Sequence, residues 1–159
     1  MKKNVLSVIL AIVIIVVVVV GAYFILNGKQ KEKSLDLNTA SQTLSNSAPF
    51  NELSTMDITI DLLSSVYGIN TENVENAIGK MPMMNVQASM YLLIQAKEGT
   101  VETVKSELDQ YATKYEEQWS TYLPEQYELV KNRKTGIVGN TVYLIIAENA
   151  ETLEQEITK

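Results

Sequence analysis

The chain has 159 residues, with 13 Lys+Arg against 19 Asp+Glu, a formal net charge of −6, and neither histidine nor cysteine. That composition excludes disulfides, thiolate metal sites, a lipid-modified cysteine, Ser-His or Cys-His catalysis and His-ligated zinc. The mean hydropathy of +0.01 averages two unlike parts, an apolar N-terminal run and an acidic remainder.

Lys2 and Lys3 precede residues 5–26, in which only Ser7 and Gly21 fall outside the apolar set. As a helix this run spans about 33 Å, enough to cross a hydrocarbon core. A cleaved signal peptide is the competing reading, with Val20-Gly21-Ala22 as the cleavage site. Tyr23-Phe24-Ile25-Leu26 carry the apolar run past that point, which favours an uncleaved anchor. Lys29, Lys31 and Lys33 flank the far side, so basic residues alone do not orient the span. The short N-terminus favours an extracytoplasmic C-terminal part. Residues 27–159 carry 11 basic and 19 acidic groups, a net charge of −8. The organisation expected is a flank 1–4, a transmembrane anchor 5–26, a linker 27–50 and a folded domain 51–159.

Within the linker, Leu37, Ala40 and Leu44 follow helical spacing weakly, and a short helix competes there with disorder. From Ser54 the pattern predicts a helix, with Ser54 or Thr55 as N-cap and Asp57 in the first turn. Ile58, Leu62 and Val66 share one face. Gly68 suits the left-handed stop, and Asn70 or Thr71 starts a further short helix through Ala77. Pro82 argues against a central strand at 79–84. Ser89–Ala96 is a continuous apolar run, expected of a strand buried on both faces. Val101, Val104, Leu108, Tyr111, Tyr115, Trp119 and Tyr122 recur at helical steps, with Thr100 as N-cap and Pro124 ending the helix. Residues 127–134 and 141–147 read as strands joined through Gly136, Gly139 and Asn140. Ala150–Lys159 reads as a helix docking Leu153 and Ile157.

The order of features from Tyr67-Gly68-Ile69-Asn70, through Tyr122-Leu123-Pro124-Glu125, to Gly139-Asn140-Thr141-Val142-Tyr143-Leu144 resembles a bacterial domain-of-unknown-function family of small exported proteins, common in Gram-positive anaerobes. Its members are tethered by a lipid-modified cysteine or an N-terminal helix. The resemblance covers about 35–159 and rests on structural punctuation. It implies a fold and a location outside the cytoplasm, and it brings no catalytic residues. Lacking cysteine, this chain departs from the lipoprotein members and has the helix as its only tether.

Candidate chemistry is sparse. Asp57 and Asp61, four apart, would align on one helix face as half of a divalent-cation site. The plainer reading, favoured here, is dipole stabilisation and a solvated face. Nineteen acids will supply some pair at glycosidase spacing by chance, with no motif singling one out. Tyr111, Tyr115, Trp119 and Tyr122 gather aromatic rings on one helix face. Core packing is the favoured role, with the polar tips able to meet a partner at its edge. Lys131, Arg133 and Lys134 form the one basic cluster of the folded part, read as a solvated strand end. Met81, Met83 and Met84 read as core filling beside a strand rather than an adaptable contact surface.

The expectation is therefore an α+β, two-layer domain. A mainly antiparallel sheet is packed by one long amphipathic helix and preceded by a single N-terminal transmembrane helix. No catalytic, cofactor-binding or metal residue is assigned, and no cofactor is expected. The expected role is non-enzymatic binding or scaffolding at the cell membrane, with another envelope protein or polymer as partner and no nucleic acid. The alternatives are a small carboxylate-dependent hydrolase of cell-wall glycan and an accessory subunit of a membrane complex.

Overall fold

The computed structural model describes residues 34–159. The expected anchor at 5–26 lies outside them. Among the described residues no helix is long and apolar enough to cross a membrane.

Helix α1 (Leu37–Asn46) opens the fold, with Asp36 accepting from the Thr39 amide at 2.7 Å as its N-cap. The weak spacing of Leu37, Ala40 and Leu44 is genuine, since all three are buried. A chain segment expected within the linker thus belongs to the packed domain. Strand β1 (Thr55–Ile58) follows, then a short helix α2 (Ile60–Leu62) running into a wider turn at Leu63–Tyr67. Gly68 stops it in the left-handed conformation at φ 67°. Asn70 caps a single tight turn at Thr71–Asn73, and β2 (Val74–Pro82) leads away from it. The helix expected from Ser54 is therefore corrected. Its supposed stripe breaks in space, because Ile58 is buried in a strand whereas Val66 is 44% exposed.

Strand β3 (Met90–Ala96) precedes α3 (Val101–Trp119), the long helix expected from the aromatic stripe. Thr100 occupies the N-cap position, but its hydroxyl donates to the carbonyls of Asn73 at 2.8 Å and Lys97 at 2.9 Å. Leu123 turns the chain at φ 45°, and Pro124 opens a second helix, α4 (Pro124–Lys131). The strand expected over 127–134 is thus corrected to a helix followed by β4 (Lys134–Val138). Proline both bars the helical conformation of the residue before it and suits a first helical turn. Gly139, at φ 60°, turns β4 into β5 (Thr141–Ile146), and α5 (Ala150–Thr158) closes the fold.

All five strands pair antiparallel in the order β1-β2-β3-β5-β4. The sheet is the antiparallel one expected, and Pro82 is tolerated because it is the last residue of β2, opposite Thr55. Both faces are covered, so the expected two layers are corrected to three. Alternation along the two central strands explains this. Met90, Leu92, Ile94, Val142, Leu144 and Ile146 face the core under α3 and α4. Tyr91, Leu93, Tyr143 and Ile145 face the core under α1 and α5. The uninterrupted apolar runs of β3 and β5 are the consequence of burial on two sides.

Candidate functional site

The expected aromatic residues come together as a ladder along α3. Tyr67, from the turn before Gly68, lies 4.6 Å from Tyr111 between ring centroids. Tyr111 stacks on Tyr115 at 5.6 Å, Tyr115 meets Trp119 edge-on at 6.0 Å, and Trp119 lies 5.7 Å from Tyr122. The ladder stays buried or half-buried up to its last ring. Tyr111 and Tyr115 are half-buried, Trp119 is 6% exposed, and Tyr122 is exposed. Core packing holds for the first three rings, and Tyr122 carries the ladder to the surface.

At that surface the methionines gather. Met56 and Met81 are direct partners across β1 and β2, so their side chains share a face. Met83 and Met84 follow in the loop after β2, and Met90 starts β3. These five, every methionine except Met1, line one groove of about 440 Å³ floored by Tyr111, Tyr115 and Trp119. Met83 and Met84 are 65% and 55% exposed, which corrects their reading as core filling, whereas Met81 does pack against the core. Hydroxyl groups donate to three of the thioethers: Ser54 to Met83 at 3.2 Å, Tyr67 to Met81 at 3.4 Å and Tyr111 to Met90 at 3.7 Å. Burial pushes the hydroxyls of Tyr67, Tyr111 and Tyr115 above the usual phenol range, so they remain protonated donors. The groove's lining holds no carboxylate and no amine. What it offers is apolar area, polarisable sulfur and fixed aromatic faces.

Two recesses adjoin it. Val86, Leu123 and Pro124 line one, together with Glu125 and Gln126. The other, of about 400 Å³, shares Gln87 with the groove and holds Glu52 and Glu148. Sequence reasoning missed Met56, Val86 and Leu123. Met56 was hidden inside an expected helix, and the other two stand singly in loops with no periodic signal.

The remaining candidates disperse. Asp57 lies on β1, 3.4 Å from Lys80 across the ladder, while Asp61 sits in α2, so no shared helix face exists. Among the described residues no group of three or more His, Cys, Asp or Glu gathers to hold a metal ion. Lys131, Arg133 and Lys134 each face a carboxylate, of Glu128, Glu116 and Glu151 respectively.

A family model described as Domain of unknown function (DUF4358) matches residues 48–147, more than half of the chain. The chain belongs to the DUF4358 family. No curated protein and no solved structure matches it. The match takes in all five strands and the groove of this DUF4358 domain. It leaves out α1 and α5, the two helices that cover the face opposite α3.

Proposed function

We propose that this DUF4358 protein is a non-enzymatic binding domain whose contact surface is the methionine–aromatic end of the sheet. The observation that carries the reading is the distribution of exposed apolar side chains. Among the described residues, all the large hydrophobic side chains left open to solvent except Val66 line the groove or the recess beside it: Met56, Met83, Met84, Val86, Tyr122 and Leu123. Single exposed apolar residues are ordinary, whereas a contiguous patch marks an interaction site. Residues 5–26 would anchor the domain in a membrane and display it on the outer side, in keeping with the small exported proteins its sequence resembles. A scaffold in the envelope, or an accessory subunit of a membrane complex, would use the same surface.

A photo-crosslinking residue at position 84 in the full chain in cells tests the reading. Position 110, on the polar outer face of α3, serves as the control. The expected result is a discrete adduct from position 84, absent from position 110 and lost in Tyr122→Asp. No adduct at position 84, with cleavage of wall glycan by the purified protein that is abolished in Glu52→Gln/Glu148→Gln, would replace binding by hydrolysis.

A further inference from the structure

The methionine–aromatic end has an electrostatic character that narrows its occupant, if the binding reading above holds. We infer that it receives a basic amphipathic helix of a partner protein, with apolar anchors in the groove and lysine or arginine on the rim. Gln87 lines both the groove and one recess, and Gln126 lines both recesses. The charged residues lining these three are Glu52, Glu125 and Glu148, and no lysine or arginine lines any of them. The surrounding domain reinforces that sign, because residues 34–159 hold 8 basic and 18 acidic groups. An apolar groove beside recesses whose only charged residues are carboxylates is complementary to an apolar stripe flanked by cations. Methionine suits the centre, since its unbranched polarisable side chain repacks around different anchors.

The same facts weigh against the other occupants. Anionic lipid or anionic wall polymer would meet three carboxylates and no cation. A second copy docked face to face by a twofold axis would set the same carboxylates against one another. A soft monovalent cation would need thioethers as ligands. Yet three of the five already accept hydroxyl hydrogens, and Val86 and Leu123 add area without a donor atom.

Trp119 is the chain's one tryptophan and reports on the groove directly. The test titrates the full chain, in phosphatidylcholine vesicles, with an amphipathic Leu/Lys peptide free of aromatic residues and methionine. A scrambled peptide of the same composition and a Leu/Glu counterpart are the controls. Trp119 emission and peroxide oxidation of Met83 and Met84 are the readouts. The expected result is a saturable emission change and slowed oxidation with the Leu/Lys peptide alone. Affinity should fall about tenfold in Met83→Ser/Met84→Ser, a loss typical of a removed anchor. It should also fall with added salt and in Glu52→Gln/Glu125→Gln/Glu148→Gln. An equal response to either control peptide, or a response unchanged in the methionine variant, would falsify the inference. So would groove protection produced by phosphatidylglycerol vesicles, by silver ion, or by raising the protein concentration alone. Any of these outcomes leaves the crosslink at position 84 intact, whereas loss of that crosslink removes the binding reading itself.

Discussion

Gly79 and Gly68 are both glycines for structural reasons, and the reasons differ in kind. At Gly79 in β2, a Cβ would run into the carbonyl oxygen of Tyr91, with Ile58 at 3.0 Å and the Leu92 backbone at 3.1 Å. Gly68 has open space around the missing Cβ but a φ of 67°. Backbone cannot yield as a flexible side chain can, so Gly79→Ala should cost about 2–3 kcal/mol by overpacking. Gly68→Ala should cost about 1 kcal/mol through strain alone. Urea unfolding midpoints of the two variants check the ranking, and equal midpoints would refute it. The buried tyrosines make a second statement at this scale. Desolvation raises the pKa of Tyr67, Tyr111, Tyr115 and Tyr143 above the ordinary 10.0. Above that pH the unfolded chain loses phenolic protons that the folded chain keeps, so folding stability is full below about pH 10 and falls as pH rises. Absorbance at alkaline pH should show these four ionising only together with unfolding.

At the scale of elements, legibility in the sequence followed what each segment packs against. Strands β3 and β5 and helix α3 read correctly, because each carries one unambiguous pattern over several turns or along a whole strand. The segment from Ser54 to Tyr67 did not. Ile58, Leu62 and Val66 imitate a helical stripe, but β1 takes Ile58 into the sheet by pairing it with Gly79, a contact no local spacing announces. Residues 127–131 misled for a related reason, since a proline can close one helix and open the next, and only the left-handed Leu123 makes both true. Of the site, the aromatic ladder was legible from α3's periodicity. Its joining to the methionines depends on the β1–β2 register and was not. Helix α1 was weakly legible and structurally important, because it covers Tyr91 and Leu93, whose side chains are fully buried. The Tyr91 hydroxyl lies 2.9 Å from Ser41 Oγ and 2.6 Å from Ser45 Oγ, tying the helix to β3. A chain begun at residue 51, the boundary read from sequence, should therefore lose cooperative unfolding or aggregate. One begun at residue 34 should fold, and calorimetry distinguishes the two.

For the whole molecule, the imbalance of 8 basic against 18 acidic groups over residues 34–159 sets a self-repulsion that isolated ion pairs do not offset. Raising ionic strength from a low value to about 0.15 M, where the screening length is about 8 Å, should raise the melting temperature. A fall instead would mean that the ion pairs of Lys80, Lys105 and Arg133 outweigh the general repulsion. Helix α1 also has a mechanical meaning. Any pull delivered through the chain before residue 34 arrives at α1, which lies on β2 and β3 without joining their hydrogen-bonded ladder. Its hold consists of side-chain contacts and two serine hydroxyls, which can peel away in sequence. The strands behind it share a register that a load must break in concert. Under tension α1 would yield first, baring Tyr91 and Leu93, so load entering along the chain would reach the core of the sheet through its most easily detached cover.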